Sequence, residues 1–181
     1  LTGKEQAKIA LNTNSHNEKI NKLIITKSGD IISASNDKTI KVWDKTNGSM
    51  KRKILGQIED GKDGIIYTMA LSKNEKYLAV GGRLGKDLGT IRIYRYKDGK
   101  LLRLLVSHSN TITTLTFNGN SLISGSSNGI IKIWDITKKF KLIDTINYHK
   151  KAIYGIETIN SDTIVSISHD QKILLYDIKK Y

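Results

Sequence analysis

A short pattern recurs four times along the chain and restricts its fold more than any other feature of the sequence. Each copy begins with a polar turn, continues as an alternating apolar strand and ends at an aromatic ring, usually followed by Asp. The copies span residues 36–44, 89–94, 128–135 and 169–177. Their rings, which lie 51, 40 and 42 residues apart, are Trp43, Tyr94, Trp134 and Tyr176. A period near 40 residues is typical of repeat proteins, which more often build binding surfaces than reaction centres.

Alternation of apolar and polar residues dominates the rest of the sequence and predicts β-strands, with no convincing helical stretch. In the third unit it predicts strands that begin near Ile112 and then cover 121–125, 130–135 and 141–146. The intervening turns carry the Gly, Asn and Asp that left-handed or Asx geometry favours. Four short antiparallel strands in each repeated unit predict the blades of an all-β propeller.

The composition excludes several classes of site. The chain has no cysteine, which excludes disulfides and thiolate zinc sites. No apolar run approaches the ~20 residues that a membrane-spanning helix needs, and no charged-then-apolar leader opens the sequence. We therefore expect a cytoplasmic protein by default, because no targeting signal points elsewhere.

The net charge of +13 comes from 30 basic and 17 acidic residues. One interpretation is an anionic partner such as nucleic acid, bound through lysine-rich loops. The favoured interpretation is a bias in composition, because 25 of the 30 cations are lysines, which commonly cover strand edges. Readers of nucleic acid more often use arginine and exposed aromatic rings. The lysine pairs in question are Lys138 and Lys139, Lys150 and Lys151, and Lys179 and Lys180.

The units resemble the WD-repeat family of β-propellers over essentially the whole chain. That family holds each blade with a buried hydrogen-bonded set, called a lock below: a His before the first strand, a Ser or Thr on the second, an Asp in the next turn, and the ring. The matching residues here are His16, Ser33, Asp37 and Trp43; His108, Ser124, Asn128 and Trp134; and His149, Ser166, Asp170 and Tyr176. Because Asn128 replaces the acid, the third lock is expected to lack one charge-assisted hydrogen bond.

This resemblance implies an all-β propeller of about four blades, each with four antiparallel strands. We expect residues 1–15 to form the outer strand of a preceding blade, followed by repeats at about 16–55, 56–106, 107–147 and 148–181. Rings of this family usually have seven or more blades, so the favoured interpretation is a segment of a larger ring. Two alternatives stay open: a four-blade ring closed by residues 1–11, and two copies joined into eight blades.

Ser, His and Asp recurring together also suggest a propeller hydrolase. A nucleophilic triad needs one exposed Ser and one oxyanion hole, whereas this set occurs three times with an aromatic partner. Buried polar groups that satisfy one another explain that repetition better. The glycine-rich stretch 81–87 does not have P-loop spacing, and His169 has no second ligand at a suitable distance in sequence. We therefore expect no enzyme activity, no cofactor and no metal.

The second unit departs from the pattern. Val80 stands at the Ser position, Lys62 or Asp63 falls where the His is expected, and the unit is about 10 residues longer than its neighbours. The excess divides between loops 55–64 and 83–89, which a propeller places on one rim beside the central channel. Insertions on a rigid scaffold often carry function, although they can also be spacers. The predicted partner-binding residues are Gln57, Glu59, Asp60, Lys62, Asp63, Arg83, Lys86 and Asp87.

The expected function is therefore a non-catalytic scaffold for another protein or a neighbouring domain. Segments 56–58, 64–72 and 76–82 are similar to a unit of bacterial multidomain WD-repeat proteins, some of which carry a caspase-like peptidase domain elsewhere. That narrower resemblance implies that this chain is the sensing or regulatory arm of a larger protein. Nucleic-acid binding is the main alternative, and a propeller hydrolase is the less favoured one.

Overall fold

Fifteen β-strands make up the regular structure of residues 14–55, 64–84 and 88–179, the part of the chain that the computed structural model describes. The first blade contains β1 (Ile20–Ile25), β2 (Ile31–Ser35), β3 (Thr39–Trp43) and β4 (Met50–Leu55). The second contains β5 (Ile65–Leu71), β6 (Tyr77–Arg83), β7 (Gly89–Arg95) and β8 (Lys100–His108). The third contains β9 (Ile112–Asn118), β10 (Ser121–Ser126), β11 (Ile131–Asp135) and β12 (Lys141–Ile146). The fourth contains β13 (Ile153–Thr158), β14 (Thr163–Ser168) and β15 (Ile173–Asp177).

Each blade is an antiparallel meander in which sequential strands pair as neighbours. The first strands of successive blades, β1, β5, β9 and β13, contact one another and so form the inner edge of the arc. This arrangement confirms the predicted all-β propeller architecture with about four blades.

Within the described residues the fourth blade has three strands, and β15 pairs only with β14 there. The second blade's outer strand, β8, runs to His108, two residues past the approximate boundary at 106. The other repeat boundaries, and the assignment of residues 1–15 to a preceding blade, stay predictions.

A β-bulge interrupts every first strand at the same place and connects neighbouring blades. The residue left out of the pairing register is Asn21 in β1, Tyr67 in β5, Thr113 in β9 and Tyr154 in β13. Asn21 Nδ2 donates to the carbonyl of Ile66 in the second blade at 2.7 Å. Thr113 Oγ1 donates to the carbonyl of Ile153 in the fourth blade at 2.5 Å. The bulges of β1 and β9 therefore turn polar side chains toward the next blade.

The hydrophobic core lies between blades, in three layers. The first layer joins Ile40 and Val42 of β3 to Met69 and Leu78 of the second blade, and the other two layers repeat this arrangement one blade further on. Close packing requires a small residue at one position of the second strand. A Cβ on Gly81 would lie 2.5 Å from the Ile112 side chain of the next blade, which only a shift of the blades could relieve.

Candidate protein-interaction surface

The first lock assembles around the hydroxyl of Ser33 on β2. Trp43 Nε1 donates to Ser33 Oγ at 2.7 Å, and His16 Nε2 lies 2.7 Å from the same oxygen. His16 Nδ1 lies 2.7 Å from Asp37 Oδ2, and Thr39, which sequence reasoning missed, donates its hydroxyl to Asp37 Oδ1 at 2.6 Å. Trp43 donates into the serine oxygen, so the serine hydroxyl can donate onward to histidine and the imidazole to the carboxylate. Every polar group of the set then has a partner inside the blade.

The fourth lock repeats this geometry with tyrosine in place of tryptophan. Ser166 Oγ lies 2.7 Å from His149 Nε2 and donates to the hydroxyl of Tyr176 at 3.3 Å. His149 Nδ1 lies 3.0 Å from Asp170 Oδ2, which also accepts from the backbone N–H of Lys150 at 2.9 Å. The hydroxyl of tyrosine reaches the serine less closely than the indole N–H does.

The third lock is incomplete. Trp134 Nε1 donates to Ser124 Oγ at 2.9 Å, and His108 Nε2 lies 2.8 Å from that oxygen. Asn128 accepts a hydrogen bond from Ser126 Oγ at 2.6 Å. His108 Nδ1 is buried and has no hydrogen-bond partner among the residues that the structure describes. The third lock therefore keeps the serine and the ring but lacks the contact between histidine and the turn residue.

Burial and hydrogen bonding set the charges of these groups. Burial lowers the pKa of His16, although Asp37 opposes the shift. Burial alone would raise the pKa of Asp37, but hydrogen bonds from Thr39 and His16 outweigh it and lower the pKa. Burial, with a smaller contribution from nearby Lys132, lowers the pKa of His108 to about 3. The third histidine is therefore neutral at physiological pH.

The three serines serve the interior of the blades. Ser33, Ser124 and Ser166 are between 0 and 2% exposed, and each hydroxyl contacts a histidine and an aromatic side chain. Each serine therefore holds its blade together rather than facing a substrate. Among the described residues, no group of three His, Asp or Glu side chains is arranged to hold a metal ion.

The second blade replaces the lock with apolar and cationic groups. Val80 pairs with Arg92 across β6 and β7, and both side chains are buried. The Arg92 guanidinium hydrogen-bonds the hydroxyl of Tyr94, while burial raises the pKa of that phenol and Arg92 opposes the rise. The second blade therefore differs from its neighbours inside as well as in its loops.

The ends of the two inserted loops meet at the rim of the second blade. The backbone N–H of Gly64 donates to the carbonyl of Arg83 at 2.7 Å, and Leu84 pairs with Gly89 in a short parallel bridge. Arg83 itself is half-buried at the end of β6. The other predicted partner-binding residues lie outside the described residues: Gln57, Glu59, Asp60, Lys62, Asp63, Lys86 and Asp87. Their role stays a prediction.

An exposed apolar strip on β8 was not predicted from the sequence. Leu101, Leu104 and Val106 face the same side of the second blade as Tyr94 and Arg92, and they are 45, 48 and 58% exposed. The corresponding outer strands of the first and third blades carry lysine or threonine where β8 carries Leu104. The run of leucines between 101 and 105 is visible in the sequence, but alternation alone does not distinguish an outer strand from a buried one. Exposed apolar strips of this kind mark interaction surfaces.

No helix in the described residues is long and apolar enough to cross a membrane.

Comparison with known proteins finds repeats of the same kind. Residues 8–44 and 99–135 match the family described as WD domain, G-beta repeat. The chain is 28% identical over 168 residues to the ribosome biogenesis protein WDR12 homolog of Trichoplax adhaerens. The aligned region covers 89% of this chain and 37% of that protein. The chain thus spans well under half of this curated relative.

Two solved structures share the fold. The structure of U3-55K superposes with a TM-score of 0.76 at 21% identity, over 91% of this chain and 53% of that one. The computationally designed Ika4 protein superposes with a TM-score of 0.76 at 24% identity, over 96% of this chain and 99% of that one. An arc of this size therefore corresponds to the whole of one solved chain and to about half of another.

Proposed function

Because this chain is built from WD repeats, we propose that it is a non-catalytic scaffold that holds another protein, or another domain of its own parent chain, on its surface. The observation that carries the proposal is the burial of the Ser, His and Asp sets. They bond to one another inside the blades, so the reactive side chains are not the ones presented to a partner. The apolar strip on β8 is exposed instead, and we propose the rim of the second blade as the other contact surface.

The two surfaces offer different chemistry. The sequence of the rim contains charged and amide residues. Its first loop ends at Gly64, beside Arg83, where its second loop begins. The strip lies on an outer strand that pairs with β7 along one edge. Exposed side chains on such a strand suit an extended apolar segment of a partner. Loop contacts would supply specificity, and the strip would supply buried apolar area.

The test compares the wild-type chain with three variants, each expressed in its source cells with a proximity-labelling tag. The rim variant replaces Gln57, Glu59, Asp60 and Arg83 with alanine, and the strip variant carries Leu104→Lys. The matched control replaces four lysines on turns at the opposite rim with alanine: Lys27, Lys73, Lys97 and Lys138. Labelled proteins are quantified by mass spectrometry, and circular dichroism shows that each variant is folded.

We expect the wild type and the control to label the same partner, and the rim or the strip variant to lose it. Equal labelling by all four proteins would contradict a partner site on the second blade. A hydrolytic activity of the wild-type chain that is lost in a folded Ser33→Ala variant would contradict a non-catalytic scaffold.

The narrower proposal is that this scaffold is the sensing arm of a larger multidomain protein. It is supported by the resemblance of segments 56–58, 64–72 and 76–82 to units of bacterial multidomain WD-repeat proteins. Reading the parent gene on both sides of the chain tests it. A catalytic domain in the same reading frame would support the arm, and a gene that encodes only propeller blades would contradict it.

An anionic partner is a second candidate, supported by the net charge of +13 and by exposed lysines such as Lys139 and Lys150. Several arginines, however, serve internal contacts. Arg52 lies 5.0 Å from the centre of the Tyr96 ring, Arg92 is buried, and Arg95 donates to Asp98 at 2.9 Å. Binding of single-stranded nucleic acid that weakens steeply with salt would support this candidate, and salt-independent binding, or none at low salt, would remove it.

A further inference from the structure

The outer edge of the second blade is open. β8 pairs with β7 along one edge, and no described strand pairs with its other edge. The second blade contacts the first blade on one side and the third on the other, so this free edge does not lie at an end of the arc. β8 has nine residues, whereas the outer strands β4 and β12 have six each. The edge therefore offers backbone hydrogen-bonding groups along a length that an extended peptide can follow.

One face of β8 lacks the polar residue that the neighbouring outer strands carry. At the centre of that face the first blade places Lys53 of β4 and the third blade places Thr145 of β12. β8 places Leu104 there, between Leu101 and Val106, and all three side chains are exposed. Charged side chains on an edge strand commonly oppose pairing with another chain. The apolar strip leaves β8 without that protection.

The opposite face of β8 is cationic. The pairing register places Lys100 opposite Arg95 and Arg103 opposite Ile93, on the side away from Leu104. The side chains of Lys100 and Arg103 are exposed, and no ion pair of the described residues uses either of them. β8 itself contains no Asp or Glu. One strand thus presents hydrocarbon on one face and uncompensated positive charge on the other.

We propose that the free edge of β8 binds a segment of a partner protein as a fifth strand of the second blade, and that this segment alternates apolar and acidic residues. The side chains of an added strand alternate between the two faces of the sheet, as those of β8 do. Its apolar residues then lie beside Leu104 and Val106, and its acidic residues lie beside Lys100 and Arg103. This inference rests on the proposed scaffold function and assigns one of its two surfaces to a class of partner.

A second copy of this chain suits the edge less well than an acidic segment does. Its own β8 would bring no negative charge to Lys100 and Arg103, and two molecules of charge +13 repel each other. An acidic partner is instead attracted to the cationic face, which favours its approach as well as its register. Charge complementarity therefore favours the acidic segment over self-pairing.

A labelled peptide tests the added strand directly. The probe is fluorescein-labelled Thr-Glu-Val-Glu-Ile-Glu-Val-Glu-Thr, and fluorescence anisotropy follows its binding to the 181-residue chain. The control peptide has the same composition and charge, with its acidic and apolar residues in separate blocks. We expect the alternating peptide to bind about tenfold more tightly, because only it sorts the two kinds of side chain onto two faces.

Methylation of the peptide backbone separates strand addition from general electrostatic attraction. One version of the probe is N-methylated at every Glu, and the other is N-methylated at every Val and Ile. The N–H groups of alternate residues point to opposite edges of an extended strand, and only one edge faces β8. We therefore expect one methylated peptide to lose binding and the other to keep it.

Variants of the chain locate the site. Leu104→Lys should weaken binding of the alternating peptide about tenfold, because it places a charge in the apolar face. Arg103→Glu should also weaken it, and a peptide with Lys in place of each Glu should bind this variant more tightly than the wild type. Both side chains are exposed, so circular dichroism should be unchanged. The matched control is Thr145→Lys, at the same position of β12, which should bind the probe as the wild type does.

The outcomes distinguish this inference from the scaffold function itself. Equal binding of the alternating and block peptides, or binding that survives both methylations, would overturn the added strand. A wild-type chain that sediments as a dimer, and a Leu104→Lys chain that does not, would replace the partner with a second copy. If the probe does not bind while cellular labelling still depends on the rim variant, the scaffold stands and the strand addition at β8 is wrong.

Discussion

Replacing Asn128 with Asp should stabilise the protein, because it supplies the acceptor that the third lock lacks. In the first and fourth locks the turn acid lies 2.7 and 3.0 Å from the Nδ1 of the lock histidine. In the third lock His108 Nδ1 is buried and finds no partner within residues 14–55, 64–84 and 88–179. When His108 carries its proton on Nδ1, that N–H can donate to the new carboxylate, and satisfying a buried donor with a charged acceptor contributes about 1–3 kcal/mol. We therefore expect the free energy of unfolding of Asn128→Asp to rise by about 1–3 kcal/mol at pH 7.

The gain should depend on pH in a defined way. In the wild type, burial holds the pKa of His108 at about 3, whereas an unfolded histidine titrates near 6.5. The unfolded state then binds the extra proton, so the wild type loses stability as the pH falls from about 6.5, on the order of 1.4 kcal/mol per pH unit. A carboxylate at position 128 would raise the pKa of His108 and reduce that loss. The advantage of the variant should therefore grow toward pH 4 and disappear as the new carboxyl, with its lowered pKa, is protonated.

Urea unfolding followed by tryptophan fluorescence measures both effects, since Trp134 belongs to this lock. The matched control is Asp170→Asn in the fourth lock, which makes the reverse change and should destabilise by a similar amount. In a His108→Gln background the gain from Asn128→Asp should vanish, as a double-mutant cycle requires. If Asn128→Asp is neutral at pH 7 while Asp170→Asn is costly, the unpaired Nδ1 is not the reason for the weakness of the third lock.

Three further changes probe the blades themselves. Ser124→Ala should cost about 1–3 kcal/mol, because it leaves the indole N–H of Trp134 without its acceptor; an unchanged urea midpoint would show that the lock is not stabilising. Gly125→Ala should destabilise by about 1–3 kcal/mol, because the new methyl would lie 2.7 Å from the side chain of Thr114; a thermal midpoint equal to that of the wild type would show that the blades yield easily. Lys38→Gly should stabilise by about 0.5–1 kcal/mol, because Lys38 has a φ of 67°; a lower midpoint in urea would contradict strain in that turn.

The locks show how far the sequence leads toward the site. The spacing of His, Ser, Asp and ring selected twelve residues, and in each of the three sets the structure brings the histidine, the serine and the ring together. His108 ends β8 of the second blade and reaches the serine of the third. Thr39 was missed, because a threonine that starts a strand is ordinary in sequence and its bond to Asp37 depends on the turn geometry. Sequence reasoning expected Asn128 to cost one bond, but it could not show that His108 Nδ1 would find no other partner.

The surfaces were less accessible to sequence reasoning. Ile173 and Leu175 have the same alternation as Ile131 and Ile133, yet one pair is exposed and the other is buried. The apolar strip of β8 has the same property, since Leu104 and the buried Leu105 are adjacent leucines of one strand. Alternation shows that side chains lie on two faces of a strand, and it does not show what covers each face.

The sequence by itself determined the repeat, the strands of each blade and the residues of the locks, because these depend on local alternation, turn residues and fixed spacing. Tertiary structure decided which apolar faces are covered and how the ends of the inserted loops meet at Gly64 and Arg83. It also decided which buried polar side-chain atoms of the described residues, Arg52 Nε and His108 Nδ1, are left without a partner. These features depend on the neighbouring blade, whose position no local pattern encodes. The same repeated strand is therefore core inside the arc and open surface at its ends.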